Sequence, residues 1–398
     1  MQRTYIPYGA YWSTPFVKWQ GSFSTLHPLK FAAEVGRQRL DERGIDPGLF
    51  DALHLGMTVP ALNSFYGAAW LAGLIGAEGI SGPTVNQACA TSARVMGSAA
   101  FEIETGVSDA VLCVTADRTS NGPEMLYPNP TNPGGKPDSE NWVWDNFGCD
   151  PWAGGAMLDT AENVARREEI TTEEQHEVVL MRHQQYEAAL EEGFHNRYMV
   201  KPVEVKDKRG RVRETVTGDE GVFPTTAEGL AKLKPVQPDG SVTFGGQTYP
   251  ADGNAGVVLT TKDRAAELSA DPSIEVQVLA FGQARAEKGH MPMAPVPAAQ
   301  RALDAAGLSI DDISAIKTHN PFAVNDIYLA RTMGVDLAAM NNYGCSLIWG
   351  HPQGPTGMRL VIELIEELTL KGGGYGLFTG CAAGDTAAAV VVRVGEPG

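Results

Sequence analysis

Two thiols and an imidazole stand on tight turns in this chain. Gly350-His351-Pro352-Gln353-Gly354-Pro355-Thr356-Gly357 runs into a long amphipathic stretch, and about thirty residues later Cys381 lies in Thr379-Gly380-Cys381-Ala382-Ala383-Gly384-Asp385. Glycines let the backbone approach a substrate closely and turn its N–H groups inward. A second thiol, Cys89, sits far upstream in Val85-Asn86-Gln87-Ala88-Cys89-Ala90-Thr91-Ser92, just before an Ala/Gly-rich helical stretch. These are the groups that acyl transfer through sulfur requires, so covalent catalysis is the leading reading.

The other reactive side chains read more plainly. Cys113 falls in the middle of an apolar strand and reads as core, Cys345 between Gly344 and Ser346 as packing, and Cys149 takes no role. The five cysteines form no C-x-x-C pair and no disulfide framework, which implies a reducing compartment and no zinc site. His176, His183 and His195 follow helix or loop spacing and read as surface or packing residues, while His290 has no assigned role.

A net charge of −17 argues against nucleic acid or an anionic membrane as the main partner. One local exception is basic: Lys206, Lys208, Arg209, Arg211 and Arg213 within eight residues, a pattern of a solvated hairpin tip or of a patch for an anionic ligand. No apolar run approaches the ~20 residues a bilayer span needs, and Met1–Pro7 lacks the basic and apolar regions of a signal peptide. The expectation is a cytoplasmic protein without a metal.

Helices and strands alternate around the candidate groups. Leu29–Arg43 and Ser92–Gly106 have helical spacing, Ala52–Met57 is a short apolar run, and Ala110–Ala116 reads as a buried strand. A Pro-, Gly- and Trp-rich irregular excursion spans 121–155. Two helices follow, Thr160–Glu169 and one opened by the capping box Thr171-x-x-Glu174. Alternation resumes with strands at Gly256–Thr260, Ile274–Gly282 and Ile313–Thr318, and a helix at Pro297–Gly307. The helix Met358–Leu370 and closing strands at Tyr375–Phe378 and Ala387–Val394 complete it. The two ends mirror each other: a turn bearing a reactive group, a helix, glycine, a strand. That pattern predicts a duplicated α/β unit with mostly parallel sheets. Its first half covers 1–120 and 246–270, an insertion covers 121–245, and its second half covers 271–398.

Four segments together resemble the thiolase family, over essentially the whole chain. Asn86-x-x-Cys89-Ala90-Thr91 resembles its nucleophile motif. His319-Asn320-Pro321-Phe322 stands at the place of its Asn-Glu-Ala-Phe or His-Asp-x-Phe motif, and Gly350-His351-Pro352 and Cys381 match its two C-terminal motifs. Thr160-Ala161-Glu162-Asn163-Val164-Ala165, Leu230-Ala231-Lys232-Leu233-Lys234-Pro235 and Asp252-Gly253-Asn254-Ala255 agree as well. His319 makes the chain more similar to sterol-carrier-type and archaeal thiolases, and Ala383 stands where family members carry glycine.

The resemblance implies a five-layered αβαβα sandwich with a loop domain and coenzyme A as co-substrate. Cys89 would attack a 3-ketoacyl-CoA, its thiolate favoured by the helix dipole and the imidazole. His351 would take the thiol proton. His319 would hold a water or donate directly to the thioester oxygen, and Cys381 would move the proton at the enolate carbon. Oxyanion donors would come from Cys89, His319, His351 and Ala383. Met157 and the basic run Lys206, Lys208, Arg209, Arg211 and Arg213 would contact the acyl-CoA. Trp142, Trp144, Phe147 and Trp152 crowd the excursion and would suit a bulky or aromatic acyl group if they face it. The variant motifs resemble those of benzoylsuccinyl-CoA thiolase subunits, which implies a zinc-ribbon/OB-fold partner protein; the family implies a homodimer or tetramer. Two alternatives stay open: a carbon–carbon lyase or condensing enzyme on the same fold, and a silent acyl-CoA-binding subunit of a hetero-complex.

Overall fold

The computed structural model describes residues 1–397. Two sheets form its frame. The first contains β1 (Tyr11–Ser13), β2 (Ala52–Gly56), β3 (Thr84–Val85), β4 (Ala110–Arg118) and β5 (Ala251–Thr260), in the order β1-β5-β4-β2-β3, with Val17–Lys18 extending the edge of β5. The second contains β6 (Glu275–Arg285), β7 (Ile313–His319), β8 (Gly374–Ala382) and β9 (Thr386–Gly395), in the order β6-β9-β8-β7. β4 and β5 are buried almost throughout, as expected of strands covered on both faces.

Three separate cores divide these layers. The helices Thr91–Thr105 and Gly354–Leu370 share the central core with the inner faces of both sheets. The helices Pro28–Arg43 and Gly67–Ile75 cover the outer face of the first sheet, and Pro295–Ala306 covers that of the second. The result is the αβαβα sandwich. Gly354 to Leu368 are all buried. The four charged residues of this stretch, Arg359, Glu363, Glu366 and Glu367, are held in ion pairs, as burial of charge in a middle layer requires.

The sheets are mixed, which corrects the expectation of mostly parallel ones. β2–β3, β2–β4 and β7–β8 pair in parallel, whereas β1–β5, β4–β5, β6–β9 and β8–β9 are antiparallel. β8 and β9 are joined by the turn at Ala383–Asp385, too short for a crossover. The long insertion separates β4 from β5, so no helical crossover forces them parallel.

That insertion is more regular than its composition. It carries the hairpin Glu124–Tyr127/Asp138–Asn141, the helices Trp144–Gly148, Met157–Arg167 and Thr172–Glu191, and the hairpin Val203–Lys206/Val212–Val216. The capping box forms as expected: Glu174 N–H donates to Thr171 Oγ1 at 3.2 Å and Thr171 N–H to Glu174 Oε2 at 2.9 Å.

The two central helices meet at their N-terminal ends, and this contact assembles the site. Ser92 Oγ donates to the Gly354 carbonyl. A Cβ on Gly357 would lie 3.1 Å from Ser92 Cβ and 2.9 Å from the Phe378 ring, so only glycine permits the approach. The turns holding Cys89 and His351 are thereby set face to face.

Candidate active site

Cys89 occupies the turn before the first central helix, after Ala88 at φ 46°. His351 Nε2 lies 3.1 Å from Cys89 Sγ, and its Nδ1 lies 2.6 Å from Thr356 Oγ1, one turn into the second central helix. Cys89 Sγ is also 3.3 Å from Gln353 Oε1. The N–H groups of Ala383 and of Cys89 itself donate toward this sulfur. One short region therefore brings together a thiol, a base and two backbone donors.

The resting protonation states differ from expectation. Burial pushes the Cys89 thiol up to about 12, against the pull of the two N–H groups. Burial, then the neighbouring His319, holds His351 well below the ordinary histidine range. The imidazole is thus a neutral free base with no charge to lend. The predicted thiolate gives way to a thiol–imidazole pair in which the proton moves only as sulfur attacks.

His319 ends β7. Its ring stacks on His351 with centroids 4.0 Å apart and planes at 27°. Its Nδ1 lies 2.8 Å from Ser346 Oγ, whereas its buried Nε2 has no partner among the described residues. Cys381, near the end of β8, accepts from Asn325 Nδ2 at 3.2 Å. The Asn325 carbonyl oxygen accepts from Phe322 N–H at 3.3 Å, which fixes the amide with its NH₂ toward sulfur. Burial raises the Cys381 thiol, the Cys89 sulfur adds to the rise, and Asn325 opposes it. The donor atoms of Cys89, His319 and His351 all lie within 4.8 Å of one another. This set could hold a thiophilic divalent cation, although an ion there would occupy the nucleophile and its base.

A cavity of about 330 Å³ opens onto the Cys89 turn through Ala88, Gln353 and Ala383. Met157, Trp142, Val143, Phe147 and Pro151 give it apolar walls. Trp142 is fixed there by donating to the Thr58 carbonyl at 2.8 Å. Trp144 instead meets Trp19 edge-on, and Trp152 lies under Arg285 and Lys288. Ala383 avoids the left-handed region, which the turn reserves for Gly384 (φ 82°) and Asp385 (φ 59°). Its methyl therefore costs no backbone strain at a position where the resemblance calls for glycine.

The basic run does not join this site. Lys206, Lys208, Arg209, Arg211 and Arg213 are exposed on the second hairpin. That hairpin turns Val203, Val205 and Val216 onto the core under Pro28–Arg43. Lys206 pairs with Glu204 and Arg211 with Asp207, and none of the five lines the Cys89 cavity. Strand alternation explains the placement: valines face inward and charges outward.

Sequence reasoning gave no role to several residues that hold the site. Gln353 and Thr356 lie inside the His351 segment, and Asn325 lies just past the His319 motif. Asp117, at the end of β4, carried no local signal. Its buried carboxylate accepts from Thr58 N–H (2.8 Å), Thr58 Oγ1 (2.9 Å), Val59 N–H (2.9 Å) and Gly354 N–H (2.8 Å). It thereby ties the first sheet to the His351 turn, where Gln353 is held at φ 65° and ψ −105°. Such backbone strain, on the order of 1–3 kcal/mol, persists only where the surroundings enforce it.

Comparison with known proteins agrees with this architecture. The family model for the thiolase N-terminal domain matches residues 10–263, and that for the thiolase C-terminal domain matches 273–394. Acetyl-CoA acetyltransferase of Pseudomonas aeruginosa is 30% identical over 389 residues, covering 94% of this chain and 95% of that one. An Escherichia coli 3-oxoadipyl-CoA/3-oxo-5,6-dehydrosuberyl-CoA thiolase is 30% identical over 407 residues, covering 96% and 97%. The crystal structure of the Bacillus anthracis acetyl-CoA acetyltransferase superposes with a TM-score of 0.89 at 27% identity over 99% of both chains. Human mitochondrial 3-ketoacyl-CoA thiolase in complex with CoA gives 0.88 at 27% over 98% of both. A nucleophile-and-base pair on a two-sheet sandwich, matched along nearly its full length, makes this chain a member of the thiolase family and an acyltransferase.

Proposed function

We propose that the chain thiolyses a 3-ketoacyl-CoA through an acyl-enzyme on Cys89, with a bulky or aromatic acyl group in the Trp142/Phe147 cavity. The 3.1 Å contact between Cys89 Sγ and His351 Nε2 carries the mechanism. Sulfur attacks the keto carbon while His351 takes the thiol proton. The carbon–carbon bond then breaks, leaving the acyl group on sulfur and the enolate of the remaining acyl-CoA, which is acetyl-CoA where the α-carbon is unsubstituted. Cys381 gives its proton to the enolate carbon. The thiol of incoming CoA gives its proton to the Cys381 thiolate and attacks the thioester. The acyl-CoA leaves, and the Cys89 thiolate takes back the proton held on His351. The Ala383 and Cys89 N–H groups are set to meet the oxyanion at the attacked carbon, where each donor is worth roughly 3 kcal/mol.

The apolar, aromatic walls beside Cys89 favour a substrate larger than acetoacetyl-CoA, with benzoylsuccinyl-CoA as one member of that class. A second cleft of about 440 Å³ abuts the His351 turn through Tyr249, Pro250 and Ile348, and Tyr249 O accepts from His351 N–H at 2.8 Å. It carries Lys18, His183 and the faces of Trp19, Trp144 and Phe223. This chemistry suits the phosphates and purine of CoA better than the exposed hairpin does. Lys18→Ala with Trp144→Ala should raise KM for CoA at least tenfold and leave Cys89 acylation intact. An unchanged KM would remove the cleft from the assignment.

Assembly as a homodimer is supported by the edge of the first sheet. β3 leaves one side unpaired, and Leu62, Phe65 and Tyr66 nearby are 80%, 94% and 69% exposed. Unpaired edges and apolar patches of this kind mark association surfaces. Sedimentation should give a dimer that Phe65→Glu converts to monomer; a wild-type monomer would refute this.

A further inference from the structure

We propose that Ser346 is a positioning residue that fixes His319 in the Nδ1–H tautomer, so that His319 presents a hydrogen-bond acceptor to a water beside the substrate. Ser346 and His319 belong to a chain of fully buried polar groups with Asp326, Arg182 and Asn320. Asp326, paired with Arg182 at 3.0 Å, is acceptor-only. Asn320 therefore turns its NH₂ toward Asp326 Oδ2 at 2.8 Å, and that group also lies 3.2 Å from Cys345 Sγ. The Asn320 carbonyl oxygen is left to face Ser346 Oγ at 3.1 Å and Leu347 N–H at 3.2 Å. A carbonyl only accepts, so the Ser346 hydroxyl hydrogen is committed to it.

Ser346 Oγ then has only lone pairs for its remaining neighbours. One accepts from Asn320 N–H at 3.2 Å, and the other must accept from His319 Nδ1 at 2.8 Å. The hydroxyl's one donor and two acceptor positions are all filled. Burial holds His319 near a value of about 3, so the ring carries a single hydrogen, and Ser346 places it on Nδ1. Nε2, which has no partner among the described residues, is a bare lone pair.

This selects between the two expected roles. His319 cannot donate directly to the thioester oxygen of the departing enolate. It instead accepts from a water, whose other hydrogen is donated to that oxygen. The tautomer follows from the hydrogen-bond inventory alone, whereas the water's role rests on the thiolase mechanism proposed above.

Protein labelled with ¹⁵N-histidine tests both parts, the His319 signal being assigned by its loss in His319→Gln. The expected wild-type spectrum shows a protonated Nδ1 and an unprotonated Nε2. Ser346→Ala should move hydrogen to Nε2 and lower kcat by roughly tenfold to a hundredfold, as loss of supporting-shell contacts does, with KM little changed. Ser346→Thr should restore both. A wild-type ring protonated at Nε2 overturns the proposal whatever the variants do, as does Ser346→Ala with tautomer and kcat unchanged. The stated tautomer in a protein that forms no acyl-enzyme would leave the proposal standing and sink the proposed function instead.

Discussion

Removing the amide of Asn325 should separate the two half-reactions. Asn325 Nδ2 donates to Cys381 Sγ at 3.2 Å, and Asn325 makes no hydrogen bond to Cys89 or His351. When Cys381 gives its proton to the enolate carbon, its sulfur becomes a buried thiolate, already disfavoured by burial and by the Cys89 sulfur. A hydrogen bond to a charged group is worth roughly 1.5–3 kcal/mol, so Asn325→Ala should slow that proton transfer by about 10- to 150-fold. Asn325→Asp should do more harm, because it sets a carboxylate beside the nascent thiolate. The direct assay is loss of deuterium from the methyl group of labelled acetyl-CoA, a reaction that needs Cys381 but no carbon–carbon bond. Acylation of Cys89, followed separately by intact mass, should stay within about twofold of wild type. Exchange at the wild-type rate, or acylation falling in parallel with exchange, would refute the assignment of Asn325 and Cys381 to one step. Thermal melts of both variants check that the fold survives.

Other perturbations have equally definite outcomes. Cys89→Ala should abolish the acyl-enzyme and turnover, whereas Cys381→Ala should still acylate but neither exchange nor condense; normal thiolysis in Cys381→Ala would take that thiol out of the mechanism. His351 sits well below the ordinary histidine range, so the base stays unprotonated as pH falls through about 6.5. His351 should therefore contribute no midpoint to the acylation rate from about pH 7.5 to 5.5. Burial raises Asp117, which holds the His351 turn, to about 7, so a midpoint near the ordinary histidine value that survives in Asp117→Asn would contradict the neutral pair. Asp117→Ala strands four buried donors, each costing about 1–3 kcal/mol. Urea unfolding should show a loss of at least about 3 kcal/mol, and a loss under about 1 kcal/mol would mean that water replaces the carboxylate. Trp142→Ala should enlarge the cavity beside Cys89 and change kcat/KM for aromatic 3-ketoacyl-CoAs by at least tenfold relative to acetoacetyl-CoA; equal effects on both would place the acyl group elsewhere.

Much of this site was legible because its signals are local. Cys89, His351 and Cys381 announce themselves by glycine and small residues within a few positions, and the structure brings them together. Strand and helix positions followed from runs such as Ala110–Ala116, where burial on both faces leaves near-continuous apolar sequence, and from the one apolar face of Met358–Leu370. Strand direction was less legible, since it depends on which strands pair across the insertion. The Lys206–Arg213 run lies away from the Cys89 cavity, because charge density says nothing about which cleft a hairpin borders. Asp117 and Ser346 were invisible for a related reason. Their importance lies in partners scattered from Thr58 to Gly354 and from Arg182 to Leu347, contacts that exist only once the chain has folded. The thiolate expected at Cys89 is opposed by energetics: desolvation at this half-buried turn exceeds the pull of two N–H donors beside a neutral imidazole.

The most direct test of the central claim is the mass of the intact protein after mixing with short, branched and aromatic 3-ketoacyl-CoAs in the absence of free CoA. The account predicts a single acyl adduct, mapped to Cys89, discharged on adding CoA and missing in Cys89→Ala. Turnover of a substrate without any adduct, or an adduct that persists in Cys89→Ala, would contradict it.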